Sequence, residues 1–199
     1  MPVFYSWPSE GRVTGYWHDE DAASAAVVRF TPFLERLLSG PVDEVIIVCH
    51  SMGSRIVTRS LGELARRNSK LHALKKVAFA AADINVEELD VQWPYLKQMP
   101  GVEWAFYESS GDLALRMSKL VHSFRRVGES DGGVYVADGS DTIDASSTTS
   151  ILRTLGHSYI VSSPALAADI GDWVTQDLPP AIRGLQRMTQ GGSVYWKIP

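Results

Sequence analysis

The sequence has little of what several classes of protein depend on. It contains one cysteine, so it cannot form an internal disulfide bond, which fits a reducing compartment. No stretch approaches the ~20 apolar residues of a membrane-spanning helix, and the first residues lack the basic start and apolar run of a secretory leader. A net charge of −4 gives no electrostatic reason to expect nucleic acid or an anionic membrane as a partner. We therefore expect a cytoplasmic protein with no membrane span and no nucleic-acid partner.

The sequence also has no pattern that predicts a metal site or a cofactor site. His18, His72 and His122 do not follow a metal-ligand spacing, and a single cysteine argues against a zinc or iron–sulfur site. No glycine-rich loop of the kind that holds a phosphate is present. We expect the protein to work without a metal and without a cofactor.

The composition is that of an ordinary globular domain, with 45% hydrophobic and 21% charged residues in 199. One domain covering residues 1–199 is therefore expected. Apolar runs of strand length alternate with stretches of helical periodicity, which is typical of an α/β fold with a mostly parallel sheet and helices on both faces. The predicted strands span residues 3–6, 45–48, 77–82, 102–107, 134–137 and 142–146.

The predicted helices span residues 22–38, 54–67, 113–124 and 164–178, and residues 87–98 are expected to be partly helical. Pro32 is expected to kink or divide the first helix. Residues 9–20 are polar, with two glycines, and predict a loop. The tail after Arg183 gives no prediction.

The segment around which the chain is organised is residues 44–53, EVIIVCHSMG. Its β-branched run predicts a strand buried on both faces, and a helix follows, so Ser51 lies at the tip of a sharp strand-to-helix turn. This is the pattern of a nucleophile elbow, which needs small residues two positions before and after the serine. Gly53 meets that need, whereas Cys49 stands where glycine is usual. Ser51 has an alternative role as a helix cap, and Cys49 is not expected to be the nucleophile because it should point into the sheet.

Acyl transfer by a serine needs an imidazole as general base and a carboxylate that orients it. Ser51, Asp112 and His157 follow one another in the order expected on an α/β-hydrolase sheet. Asp83, at the end of another predicted strand, is the alternative acid. Asp112 has a second possible role as a helix N-cap, and His157 as a support for its loop. His50 is too close to Ser51 in sequence to act as its base.

Several motifs stand in order along the chain, at residues 4–11, 15–16, 19–21, 49–55, 81–84, 107–115 and 156–159. Taken together, these motifs resemble, in the same order, a family of bacterial α/β-hydrolases of unknown function that is often described as esterase/lipase-like. The resemblance runs from the first predicted strand to about Tyr159 and implies an α/β-hydrolase fold with Ser51, Asp112 and His157 as the triad. It adds no established substrate.

One departure from the family concerns the start of the chain. Members usually begin with further strands, including one followed by a His-Gly loop that supplies an oxyanion donor, whereas this sequence starts at the strand after that loop. The fold is therefore expected to be N-terminally shortened, with an open sheet edge through which a homodimer could pair. Met52 N–H can supply one oxyanion donor, and the loss of a second typically lowers the rate by ~100- to 1,000-fold.

These observations favour a serine hydrolase that acts on a small-molecule carboxylic ester through an acyl-enzyme. The aromatic residues Trp7, Tyr16 and Trp17 are candidates for the substrate pocket, with packing over the sheet as the alternative. Two other functions are consistent with the same residues. One is a catalytically weak or inactive binding module, and the other is an acyltransferase that uses the same triad.

Overall fold

Helices and strands alternate along most of the chain. The computed structural model describes residues 1–10, 15–111, 124–148 and 163–199. The helices are α1 (Tyr16–Ser39), α2 (Gly53–Arg66), α3 (Val86–Leu96) and α4 (Pro164–Gln176), and a 3₁₀ turn covers Ser146–Thr148. The strands are β1 (Val45–His50), β2 (Leu74–Ala80), β3 (Glu103–Glu108), β4 (Asp141–Asp144), β5 (Gln186–Gln190) and β6 (Ser193–Lys197). None of these helices is long and apolar enough to cross a membrane.

The described strands form one sheet in the order β1-β2-β3-β4-β6-β5. Every neighbouring pair is parallel except β5 and β6, so the predicted mostly parallel sheet is confirmed. The carboxyl ends of β1, β2 and β3 meet at one edge, where His50 lies opposite Ala80 and Ala80 lies opposite Tyr107. Parallel sheets bind ligands at this edge, and Ser51 follows β1 there.

Helices cover both faces of the sheet, and each face has its own apolar core. On one face Phe79 and Phe106 stack with ring centroids 5.0 Å apart, in the cluster that includes buried side chains of α1, α2 and α3. On the other face Tyr107 belongs to a smaller cluster with Leu166 and Trp173 of α4. Neighbouring residues of β3 therefore serve opposite cores, as the alternation of side chains along a strand requires.

The prediction that the elbow strand is buried on both faces is wrong. β1 is the first strand of the sheet, and in the part of the chain that the structure describes no strand pairs with its outer side. Val48 keeps 49% of its surface exposed, although Cys49 is buried. An apolar run predicts a strand, but the burial of that strand depends on whether a neighbour exists on each side.

The prediction of a strand over residues 3–6 is also wrong, because residues 1–10 adopt neither helix nor strand. Tyr5 packs instead on α1, with its ring centroid 4.5 Å from that of Phe30 and 6.1 Å from that of Phe33. A strand needs a neighbour to take its backbone hydrogen bonds, and this segment pairs with none of the described strands. The predicted loop over 9–20 is too long, since α1 already begins at Tyr16.

Two further differences lie in the second half of the chain. Residues 134–137 form no strand, since the Tyr135 N–H donates to the Glu108 carboxylate, at 2.9 Å and 3.1 Å, and not to a ladder partner. The tail forms a hairpin of β5 and β6 that extends the sheet. Pro32 does not divide α1, where Phe30 and Leu34 are buried on either side of it. The helix predicted over 113–124 lies, except for its last residue, outside the described residues.

Candidate active site

Ser51 has the backbone geometry of a nucleophile elbow. Its φ is +52°, in the left-handed region that residues other than glycine rarely adopt. The Ser51 N–H donates to Ala80 O at 3.0 Å, and the Ser51 carbonyl accepts the Ser54 N–H at 3.0 Å, so the turn is held from both β2 and α2. The N-cap of α2 is Met52, and no side-chain hydrogen bond caps the helix. This geometry favours the elbow over the helix-cap role for Ser51.

Cys49 lies behind the elbow and points into the sheet. It is buried, and its Sγ lies 3.2 Å from the Ala78 carbonyl oxygen. Burial raises the pKa of the Cys49 thiol to about 12, so the group stays protonated near neutral pH. A thiol is a far weaker nucleophile than a thiolate, which argues against Cys49 as the attacking group.

The start of α2 offers hydrogen-bond donors beside Ser51. Met52 N–H donates to no backbone acceptor among the described residues. The first amides of a helix lack partners within the helix and carry a partial positive charge. The role of the Met52 N–H as an oxyanion donor stays a prediction.

Asp83 is held by three side chains, which together with it we call the Asp83 cluster: Tyr16, Arg55 and Arg126. The Tyr16 hydroxyl donates to Asp83 Oδ2 at 2.8 Å, and Arg55 Nη2 lies 3.4 Å from Oδ1. Arg126 Nε lies 3.2 Å from the same oxygen. Arg55 Nη2 also donates to the Tyr16 hydroxyl at 2.6 Å. Asp83, Arg55 and Arg126 each expose 3% of their surface or less.

The Asp83 cluster is hydrogen-bonded to the backbone of the elbow. The Asp83 N–H donates to the Ser51 carbonyl at 3.2 Å, and Arg55 Nε donates to the Asp83 carbonyl at 2.5 Å. The cluster therefore joins the end of β2 to α1, to the first turn of α2 and to residue 126. A carboxylate engaged by two guanidinium groups and a phenol suits an anchor better than the acid of a triad. Asp112 remains the predicted acid.

Asp112 and His157 lie outside the described residues, so their roles stay predictions. The chain positions before them are described. β3 and β4 end opposite each other, with Glu108 beside Asp144, at the same edge as Ser51. Asp112 follows β3 in the chain, and His157 follows β4. Ligands of parallel sheets bind beyond the carboxyl ends of the strands.

A serine cluster that the sequence analysis did not anticipate joins the ends of β3 and β4. Ser146 Oγ accepts the Ser110 N–H at 2.9 Å and the Ser110 hydroxyl at 3.0 Å, and Ser146 itself bonds the Asp144 carboxylate. Ser130 Oγ lies 3.3 Å from Ser146 Oγ. The bonds between Ser110 and Ser146 cross 36 residues of sequence, so local patterns carry no signal for them. They fix the points from which the chain continues toward Asp112 and His157.

Glu108, the last residue of β3, is a second residue of this region that the sequence patterns did not predict. It is fully buried, and burial raises the pKa of its carboxyl well above the ordinary value, against the opposing effect of the Tyr135 N–H. The sequence gives one signal for Glu108: it is an acidic residue at the end of an apolar strand, just before the candidate acid Asp112. Its bonds to Tyr135 hold residues 134–137 over the strand end.

The three aromatic candidates for a substrate pocket have different environments. Trp7 is half-buried and packs against the larger core. The Tyr16 hydroxyl belongs to the Asp83 cluster. Trp17 exposes 61% of its surface and meets Tyr16 edge to face, with centroids 6.5 Å apart. Trp7 and Tyr16 therefore both have packing contacts, whereas Trp17 keeps most of its surface exposed, and all three stay candidates for the pocket.

Gly128 is required by close packing, and Gly53 is not. A Cβ on Gly128 would lie 2.8 Å from Ala81 Cα and closer still to the Ala82 backbone, whereas a Cβ on Gly53 would meet no described atom within 4 Å. The expectation that position 53 must be small is therefore not supported on steric grounds.

We predict that Gly128→Ala lowers the free energy of unfolding by at least about 2 kcal/mol. Gly53→Ala, the matched control, should leave it unchanged or raise it by up to about 1 kcal/mol. Urea unfolding of both variants checks this, and equal stability would contradict it.

Comparison with known proteins gives one match. A family model described as "Alpha/beta hydrolase of unknown function (DUF900)" matches residues 1–172. A search of curated proteins finds no match, and a search of solved structures finds none. The matched range includes the elbow, the Asp83 cluster and both predicted triad partners of Ser51.

Proposed function

The chain belongs to this family of α/β-hydrolases of unknown function, and on that basis we propose that it is a serine hydrolase that cleaves a carboxylic ester. The observation that carries the proposal is the left-handed backbone of Ser51 at the turn between β1 and α2. A strained non-glycine conformation costs on the order of 1–3 kcal/mol and persists where the surrounding structure holds it. An elbow serine of this kind exposes its hydroxyl to substrate.

The proposed reaction has two halves. Ser51 Oγ attacks the ester carbonyl carbon while His157 takes the hydroxyl proton, and Asp112 orients the imidazole and stabilises its charge. The tetrahedral intermediate collapses, the C–O bond to the alcohol breaks, and His157 gives its proton to the leaving alkoxide. Water then attacks the acyl-enzyme with His157 as base, which releases the carboxylic acid and restores Ser51.

Stabilisation of the oxyanion is assigned to the start of α2. The carbonyl oxygen becomes negative in the tetrahedral intermediate, and the Met52 N–H together with the helix dipole supplies positive charge beside Ser51. The Asp83 cluster contributes indirectly, because its bonds to the Ser51 carbonyl and to Arg55 keep the elbow and the helix start in one geometry.

The experiment that tests this function is turnover of neutral nitrophenyl esters by the purified chain. A series from acetate to decanoate, with the Ser51→Ala variant as the blank, measures both activity and preferred acyl length. Adding a competing alcohol and analysing the products separates hydrolysis from acyl transfer. Hydrolysis that does not depend on Ser51 would contradict the proposal.

A second candidate function, association through the open edge of the sheet, is favoured by the contrast between the two edge strands. β5 reads QRMTQ, and its five residues are polar or exposed, as edges that avoid pairing usually are. β1 reads VIIVCH, with no acidic residue, lysine or arginine. We propose that a second copy of the chain pairs with β1, since two uncharged strands running antiparallel about a two-fold axis bring no like charges together.

The prediction for this edge is that the protein is a dimer and that Val48→Lys makes it a monomer. Val48 is 49% exposed, so lysine should not disturb the folded chain, but it would place a charge on each of the two pairing strands, which opposes edge-to-edge association. Val91→Lys, on the exposed face of α3 at 67% exposure, is the matched control and should stay dimeric. Light scattering after size-exclusion chromatography reads the mass. A monomeric wild type, or a dimeric Val48→Lys variant, would overturn the proposal.

A further inference from the structure

We propose that the protein has a second binding site, for a small organic anion with an apolar body. It lies where the strands of the sheet begin, at the opposite end of the strands from Ser51. A cavity of about 940 Å³ lies there, beside the end of α2, the end of α3 and the loop that leads into β2. Pockets for small molecules typically have volumes of ~300–1,000 Å³. The amino ends of β2 and β3 are at this edge, whereas Ser51 follows the carboxyl end of β1. This site is independent of the proposed hydrolase function.

The charges around this cavity have one sign. Arg66, Lys70 and His72 line it, and none of its lining residues is an aspartate or a glutamate. The whole chain nevertheless carries more acidic than basic residues, 23 against 19. A neighbouring cavity of about 510 Å³ at the same edge is lined by Glu103, Asp141 and Asp177. The edge therefore has a basic cavity beside an acidic one, which would direct an anion to the first.

The basic side chains of this cavity are available to a ligand. Among the described residues, neither Lys70 nor His72 forms a salt bridge, and both are exposed. Arg66 bonds the neutral amide of Gln92. A basic residue in the last turn of a helix offsets the helix dipole, which accounts for Arg66. Lys70 and His72 lie beyond the end of α2, so the dipole does not explain them.

The rest of the cavity suits an apolar and preferably aromatic body. Tyr95 exposes 45% of its surface, and the Arg66 guanidinium carbon lies 5.3 Å from the centroid of its ring. Leu71, Met99 and Val102 line the cavity and are half-buried, so they present apolar surface that water still reaches. An aromatic carboxylate fits both features, because its ring can cover the apolar surface while its charge faces Lys70 and His72.

The test is a titration of ¹⁵N-labelled protein with 2-naphthoate, followed by amide chemical shifts. We expect shifts at residues 66–72 and 95–102, weakening as salt is added. The neutral isostere 2-naphthylmethanol should bind about tenfold more weakly, as should naphthoate to the Lys70→Gln/His72→Gln variant. Lys97→Gln, which removes a lysine paired with Asp138 outside this cavity, is the matched control and should bind like wild type.

The outcomes separate this site from the proposed catalytic one. Ser51→Ala should bind naphthoate with unchanged affinity, whatever its effect on ester turnover. No shifts in the two segments, equal binding of the neutral alcohol, or unchanged binding by the double variant would each overturn the proposal. Because Lys70 and His72 are exposed, their replacement by glutamine should leave the fold intact, which the spectrum of the unbound variant verifies.

Discussion

Ser51→Ala is expected to lower kcat for ester hydrolysis by at least about 10,000-fold. In serine hydrolases the loss of the nucleophile removes the covalent pathway, and only the contribution of substrate binding and oxyanion donors remains. The substitution deletes one oxygen at a turn whose backbone is held by Ala80 and Ser54. KM should change little, since the hydroxyl contributes mainly to the transition state.

The matched control for Ser51→Ala is Ser60→Ala in α2, the helix that follows the elbow. Ser60 is buried and its Oγ accepts the Thr31 hydroxyl at 2.9 Å, so its loss affects packing without touching the elbow. This variant should keep kcat within about threefold while losing about 1 kcal/mol of stability. Turnover by Ser51→Ala that equals turnover by Ser60→Ala would show that the ester is cleaved elsewhere.

Asp83→Asn is expected to lower the free energy of unfolding by about 3–5 kcal/mol. Removal of one partner from a buried ion pair leaves the other charge uncompensated in a poorly solvated environment. Here two guanidinium groups would lose their shared carboxylate: Arg55 would keep its salt bridge to Glu20, and Arg126 would lose its bond to Asp83. Urea unfolding followed by circular dichroism measures the change.

Glu88→Gln provides the control for the Asp83 result. Glu88 pairs with Arg59 at 2.6 Å, but both side chains are partly exposed, so the change in the free energy of unfolding should be within about 1 kcal/mol.

Replacing Asp112 and Asp83 in turn also tests which of these two acids belongs to the triad. Asp112→Asn should lower kcat by up to about 10,000-fold with little effect on stability. If Asp83→Asn instead keeps full stability and loses activity, then Asp83 is the acid that orients the histidine.

The features that sequence patterns predicted are those set by residues close together in the chain. The apolar run of β1, the sharp turn at Ser51 and the periodicity of α2 lie within residues 45–66, and the structure has all three. The parallel sheet follows from the alternation of strands and helices. The predicted start of α1 was less accurate. Tyr16, its first residue, bonds Asp83, which is 67 residues away in sequence, and local patterns carry no signal for such a contact.

The features that were missed depend on distant or absent neighbours. The β5 strand reads QRMTQ and has no apolar face to signal it. Among the described strands it pairs with β6 alone, at the edge of the sheet. The need for glycine at 128 comes from the backbone of residues 81 and 82, which no local pattern reveals. The exposure of Val48 likewise follows from the position of β1 as the first of the described strands in the sheet, and not from its own composition.

Whether Ser51 is an activated nucleophile is measured by labelling with a fluorophosphonate probe and locating the adduct by mass spectrometry. We expect one adduct, on the peptide that contains Ser51, in the folded wild type. Ser51→Ala, His157→Ala and heat-unfolded wild type should not be labelled. A folded wild type that takes up no probe, or a Ser51→Ala variant labelled as fast as wild type, would contradict the proposal that Ser51 is the nucleophile.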